Sequence, residues 1–356
     1  MTSQMILYGA TGYTGELIAE RAVAEGLPPV LAGRSADKLA ALAARLGLEW
    51  RAFGLADSEA IRHGIRGAGV VLNVAGPFSA TATRVAEVCL ASRCHYVDVT
   101  GEIDVFEDLA ALDGRAKKAG VLLLPGAGFD VVPSDCLAAC VAAVMPSAVR
   151  LRLSIGALGG ASRGTMKTAV EGLGHGVRVR RDGRLVELPA APKGEADFGS
   201  GPRLTLGVSW GDVSTAWWST GIADVDVHFE ATPALARIAA LPGPMRRVLA
   251  TRPVQALLKR AVDRMPAGPT AQERASGRPV IVAEAWDGTG ARAMVRQSTP
   301  EGYALTVETA LEIARRAWTG AGPAGFHTPS SAFGHEFVLG FAGVEREKPV
   351  VTRDRM

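Results

Sequence analysis

The sequence predicts an α/β protein: a doubly wound parallel Rossmann sheet joined to a second α+β substrate domain built on a mixed sheet. Three observations carry this reading. A short apolar run, residues 5–8, ends in glycines at 9, 12 and 15 and passes straight into an amphipathic run from Glu16. Apolar strand-like segments then alternate with helix-like segments six times up to residue 135, the pattern of a parallel sheet with crossover helices. From Val149 the pattern changes to single alternation of apolar and polar residues, as in a strand with one wet face.

The glycine stretch comes first in the chain. Gly9 lets the chain turn off the strand, Gly12 admits close backbone approach to a pyrophosphate, and Gly15 lets the helix pack against the strand. The amide groups and positive dipole end of the helix then face the phosphates, with Thr11, Tyr13 and Thr14 between the glycines. A glycine triplet also occurs in plain strand–helix turns, so the following elements decide its meaning. The second strand ends at residues 32–35, where a binder of the non-phosphorylated cofactor would place an acidic residue. This chain has Arg34 and Ser35 there, a guanidinium and a hydroxyl suited to a 2′-phosphate. Arg34 as a solvated charge and Ser35 as a helix cap are the plain alternatives.

Residues 50–53 form a third strand, and residues 70–75 read as a buried parallel strand ending at Gly76, Pro77 and Phe78. Asn73 is polar within that apolar run and needs a partner, either backbone or cofactor. The next strand begins at His95 and carries Tyr96 and Asp98, with Thr100 and Glu102 just after it. A sixth strand, 121–124, leads to the turn 125–130, which holds Gly128, Phe129 and Asp130.

Composition bounds the remaining classes. The 356 residues are 48% hydrophobic and 21% charged, an ordinary globular balance, and two domains suit the length. A net charge of +3 gives no argument for nucleic acid. No signal-like segment precedes the first strand, and no apolar run reaches the length of a membrane span, so a cytoplasmic protein is expected. Cys89, Cys94, Cys136 and Cys140 contain no C-x-x-C pair, which reads as reduced thiols with no metal site.

Five motifs in order, Gly9–Gly15, Ala32–Ser35, Asn73–Phe78, Tyr96–Glu102 and Gly128–Asp135, give the chain a family likeness. It resembles the saccharopine dehydrogenase-like oxidoreductases, in particular the branch with the trans-acting enoyl reductases. The likeness continues through 159–165, 268–274, 301–306 and 328–334. It implies NADP(H) bound by a Rossmann domain (1–135), an α+β substrate and dimerisation domain (136–322), and a C-terminal segment (323–356) returning to the first domain. It also implies hydride transfer to C=N or activated C=C bonds. The chain is shorter than lysine-pathway saccharopine reductases, and Arg163 stands where the family more often has a small residue.

In the second half, residues 177–188 read as a hairpin around Asp182 and Gly183, its four arginines as a solvated face. Arg163 and Lys167 lie one helical turn apart and can present two cations to a substrate anion. Residues 237–264 hold seven Arg or Lys and one acid among apolar residues, a pattern suited to peripheral membrane or carrier contact, or to a lid or dimer arm.

The expected chemistry is an NADPH-dependent reduction of an enoyl thioester, small or carrier-bound, in a cleft between domains. Imine reduction and a non-catalytic NADP-binding sensor are the alternatives. Proton-handling candidates are Asp98, Asp130, Tyr96 and Glu102, all near the carboxyl ends of strands. Ala75 to Phe78, Gly128 and Phe129 join the glycine loop, Arg34, Ser35 and Asn73 as the cofactor set. A short-chain reductase would need Tyr-x-x-x-Lys, which none of the four tyrosines has. A semialdehyde dehydrogenase would need a thiolate beside the cofactor, for which Cys136 is the candidate, although Cys136 and Cys140 also fit a buried apolar helix face.

Overall fold

The computed structural model describes residues 3–172, 176–241, 245 and 248–353. The chain folds as two compact units, Met1–Val132 with Tyr303–Gly334, and Pro133–Gly302 with His335–Met356. This division differs from the expected boundaries. The first unit regains the chain at Tyr303 rather than 323, and releases it at Gly334. The reason lies in two elements. Most of the helix Gly302–Trp318 buries its apolar face in the first unit, whereas the last strands complete the sheet of the second.

The first unit is built on a parallel seven-stranded sheet. Its strands are β1 (Gln4–Tyr8), β2 (Val30–Gly33), β3 (Trp50–Ala52), β4 (Ala68–Asn73), β5 (His95–Asp98), β6 (Leu122–Leu124) and, far along the chain, β15 (Gly325–Phe326). Their order is β15-β6-β5-β4-β1-β2-β3. The chain thus winds outward in both directions from β1 and β4, the reversal of order beside which ligands bind in doubly wound sheets. The middles of the core strands are apolar, since helices cover both faces: Met5, Ile6 and Leu7 in β1 and Val70, Val71 and Leu72 in β4 are all buried. Asn73 and Asp98 face each other in register at the carboxyl ends of β4 and β5. Two buried polar residues at one edge are costly unless paired, which marks this edge before any ligand is considered.

The second unit carries a ten-stranded mixed sheet. Strands β7 (Ala148–Gly156), β8 (Val177–Arg181), β9 (Arg184–Leu188), β10 (Lys193–Asp197), β11 (Pro202–Gly207), β12 (Asp224–Glu230), β13 (Val280–Asp287) and β14 (Arg292–Ser298) are joined by β16 (Glu345–Arg346) and β17 (Val350–Thr352). Central β7 runs parallel to β12 and antiparallel to β13. The alternation read from Val149 holds only in part: Leu151, Leu153 and Ile155 are buried, but Val149 is exposed and Ser154 is buried as well. The 177–188 hairpin turns through Asp182 and Gly183, both with positive φ, which matches the twist of its strands. Arg180 and Arg181 depart from the solvated face, half-buried Arg181 pairing with the buried Asp226 at 2.6 Å. Arg180 is buried, donating to the carbonyls of Val213 at 3.0 Å and Gly183 at 2.8 Å beside the Trp217 ring.

Gly15 and Gly114 test the packing argument. A Cβ on Gly15 would sit 2.4 Å from the Gly9 carbonyl and 2.8 Å from Ala10 Cα, whereas one on Gly114 would meet nothing within 4 Å. Gly15→Ala is expected to cost at least about 2 kcal/mol. Gly114→Ala, in the helix Asp113–Ala119, should instead stabilise by up to about 1 kcal/mol, since it lowers the entropy of the unfolded chain. Urea denaturation of the two variants checks both signs.

Candidate active site

The site starts at the end of β1. Gly9 has φ +90°, a backbone state that side chains rarely adopt, and a Cβ on it would fall 2.8 Å from the Ala75 amide nitrogen. Its amide donates to the Ala32 carbonyl at 2.8 Å, and the Val74 amide donates to the Tyr8 carbonyl at 2.8 Å. The loop is thereby tied to both neighbouring strands. The helix Tyr13–Ala24 begins after Gly12, which caps it with no side-chain hydrogen bond. Gly12 is exposed, and a Cβ there would crowd the Gly9 carbonyl at 3.3 Å. An exposed, side-chain-free turn at a helix N-terminus is what a pyrophosphate requires. Thr11, Tyr13 and Thr14 are half-buried beside it, and Tyr13 meets Tyr303 edge-on at 5.1 Å.

Beyond β2, Arg34 is exposed and Ser35 half-buried, and neither side chain hydrogen-bonds a described residue. Ser35 occupies the cap position of the helix Ala36–Leu46 without using its hydroxyl there. Both groups are therefore open to a ligand. Next to them the Tyr8 hydroxyl donates to the Phe53 carbonyl at 3.2 Å, and burial pushes its pKa up against the Arg34 charge.

The third side of the site is held by a chain of buried hydrogen bonds. The Asn73 side-chain oxygen accepts from the Ala75 amide at 3.1 Å, and its nitrogen donates to Thr81 at 3.2 Å and to the Tyr96 hydroxyl at 3.1 Å. Tyr96 donates in turn to Asp98 Oδ2 at 2.7 Å. Asp98 Oδ1 accepts from the amides of Thr100 at 2.9 Å and Gly126 at 3.1 Å. Glu102 accepts from the amides of Phe78 and Ser79, one per carboxylate oxygen, each at 2.8 Å. The exposed Gly76–Pro77 segment and half-buried Ala75 and Phe78 are thus pinned at both ends as a rim.

These contacts correct the expected chemistry. Tyr96 and Asp98 are fully buried and committed to each other and to backbone, so neither reaches a substrate. Burial drives the Tyr96 hydroxyl far above its ordinary range and pushes Asp98 up to about 7 despite its three donors. Glu102 is a clamp on the rim. Asn73 is likewise fully buried, its amide engaged by Ala75, Thr81 and Tyr96. Asp130 differs: it is half-buried, its carboxyl lies beside Gly101, and burial pushes it up to about 7. Gly128 and Phe129 are buried and are held by a residue the sequence did not single out, since the Phe129 amide donates to Thr306 Oγ1 at 2.9 Å. Thr309 donates to the Ala127 carbonyl at 2.8 Å. A Thr pair one turn apart in a helix is ordinary in sequence, so nothing local announced this role.

In the second unit the two expected substrate cations are engaged elsewhere. Lys167 pairs with Asp263 at 2.5 Å, and Arg163 donates to the Asp263 carbonyl at 3.3 Å. They fasten the helix Arg163–Gly172 to a neighbouring helix instead of awaiting an anion. Cys136 is fully buried and its thiol pKa is pushed up, the reverse of a nucleophile's environment. His95 accepts from the Leu122 amide at 3.0 Å, a structural use.

Residues 5–124 match the family model described as the saccharopine dehydrogenase NADP binding domain. The first unit carries a saccharopine dehydrogenase-type NADP-binding domain. Its cofactor class is accordingly NADP(H). Over 139 residues the chain is 33% identical to a trans-acting enoyl reductase of Mycobacterium leprae. Over 153 residues it is 28% identical to a probable mitochondrial saccharopine dehydrogenase-like oxidoreductase of Arabidopsis thaliana. Each alignment takes in 37% of this chain and 33% of the relative, so the chain spans about a third of the length of the curated relatives it matches. The fold extends further than the sequence likeness. The apo saccharopine dehydrogenase (L-Glu forming) of Saccharomyces cerevisiae superposes with a TM-score of 0.62 over 99% of this chain and 100% of that one, at 11% identity.

The staple in the NADP-binding domain has a pH signature. Asp98 is held at about 7 against an ordinary 3.8, so its contribution to stability is full below about pH 4 and is lost as pH rises to about 7. Asp98→Asn cannot ionise and is expected to flatten the fall in urea midpoint over that window. Asp98→Ala, which strands the Thr100 and Gly126 amides and the Tyr96 hydroxyl, should cost about 2–4 kcal/mol below about pH 4 and less as pH rises to about 7.

Proposed function

We propose that this chain is an NADPH-dependent reductase that adds hydride to the activated C=C bond of an enoyl thioester, small or carrier-bound. The observation that carries this reading is a pair of features at one sheet edge. Arg34 and Ser35 stand open where a 2′-phosphate would lie, and Asp130 offers a carboxyl that burial has pushed up to about 7. The relatives named trans-acting enoyl reductase support C=C as the acceptor.

The residues present fit NADPH. Gly9 and Gly15 let the turn pack tightly on its own backbone, and exposed Gly12 leaves room for phosphates at a helix N-terminus, with Thr11, Tyr13 and Thr14 around it. The rim of Ala75, Gly76, Pro77 and Phe78 supplies a wall, kept in place by Asn73 and Glu102. Gly128 and Phe129 close the far side through Thr306. NADPH, when bound, would supply the hydride that adds to the β-carbon of the enoyl thioester, being oxidised to NADP⁺. The α-carbon then takes a proton, which gives the saturated thioester. Asp130, close to half-protonated at neutral pH, is the group assigned to hold that proton and to regain it from water.

Three measurements test the reading. Arg34→Ala should raise the Kd for NADPH by about 10- to 100-fold, the worth of a charged hydrogen bond to phosphate, and leave NADH binding unchanged. Asp130→Asn should lower kcat by about 100-fold with NADPH affinity retained, and should abolish the loss of kcat that accompanies deprotonation above pH 7. NADPH oxidation should be seen with enoyl thioesters. Turnover with amine–carbonyl pairs alone would shift the assignment to imine reduction, and tight NADPH binding with no turnover on any acceptor would favour a sensor.

A further inference from the structure

The second unit holds a helix, Arg252–Asp263, whose two sides do different things. Its inner side is fastened to the helix Arg163–Gly172. Val262 is buried, Gln255 donates to the Val170 carbonyl at 2.7 Å, Lys259 pairs with Glu171 at 2.5 Å, and Asp263 takes Lys167 at 2.5 Å. These contacts consume the lysines and acids of the helix pair.

The outer side carries two adjacent rows at four-residue spacing. One is apolar: Pro253, Leu257, Ala261 and, just past the helix end, Met265, all exposed. Leu257 is 66% and Met265 43% exposed. The other row is Arg252, Ala256, Arg260 and Arg264, also exposed throughout. None of these three arginines forms an ion pair with a described residue. Val248 and Met245, 56% and 55% exposed, extend the apolar surface just before the helix. Residues 242–244 and 246–247 of the basic stretch 237–264 lie outside the described residues. In sequence, positions 245–265 contain six Arg or Lys against the single acid Asp263.

We propose that this outer helix face docks on an anionic phospholipid surface. Leu257 and Met265 project singly from a convex helix, and unpaired guanidinium groups flank them. Protruding apolar side chains next to arginines suit a deformable boundary in which hydrocarbon accepts the one and lipid phosphate the other. Charge complementarity selects an anionic membrane over a neutral one, because every acid of the helix pair named above is already matched by a lysine. The inference is independent of the cofactor site.

Flotation of the full chain with vesicles tests it. The protein should float with phosphatidylcholine vesicles containing phosphatidylglycerol, stay behind with phosphatidylcholine alone, and be released by high salt. Leu257→Glu should abolish flotation, and Arg260→Glu combined with Arg264→Glu should weaken it by at least about tenfold. NADPH affinity and the urea midpoint should be unchanged in both variants, because the altered side chains are exposed. Absence of flotation with phosphatidylglycerol overturns the proposal, as does flotation that neither variant reduces. A concentration-dependent dimer lost in Leu257→Glu, without vesicle binding, would assign the face to a second copy of the chain.

Discussion

The constraint on which the first unit depends is the burial of one carboxylate, Asp98, at the end of β5. A group this deep stays only if its oxygens are met, and three donors meet them: Tyr96 from its own strand, Thr100 from the following turn and Gly126 from the end of β6. Tyr96 carries the network across to Asn73 and so to Ala75 on the β4 side. Three loops that are far apart in sequence are thereby set at fixed spacing on one edge. The glycine loop rests against this frame, since Gly9 has no room for a side chain beneath Ala75. The shape of the edge is thus a consequence of satisfying buried polar groups.

The same reasoning sorts the ionisable residues by what they are free to do. Glu102 has the right chemistry for proton transfer and the right address, yet both of its oxygens are taken by the Phe78 and Ser79 amides. Arg163 and Lys167 have the right charge for an anion, yet Asp263 engages both. Arg34 has no such partner among the described residues, and Asp130 is half-buried. Availability is a property of packing, and it separates these residues more sharply than their types do.

Helices supply what the strands lack. The Gly302–Trp318 helix arrives from the other end of the chain and holds the Gly126–Phe129 turn through Thr306 and Thr309. It draws the boundary between units at Tyr303, earlier than the likeness of the last residues implied. Farther along the chain, the last strands return to the second sheet through pairings with β14. Both outcomes follow from long-range pairing, to which local pattern is blind.

Sequence alone determined the parallel sheet, because uninterrupted apolar strands such as residues 70–72 can be buried only with helices on both faces. It determined the glycine turn and the Arg34–Ser35 pair as well, because backbone close approach and a guanidinium after β2 are local properties. It also made visible the 177–188 hairpin, which needs only an Asp-Gly turn. Tertiary structure alone decided which polar residues remain available. Asn73, Tyr96 and Asp98 are spaced through 26 residues, and only the pairing of β4 with β5 brings them into one hydrogen-bonded chain. The same holds for Arg180, which reads as solvated until Val213 and Gly183 accept its donors. A residue's type sets what it can bind, but the partners that reach it first are chosen by contacts across the fold.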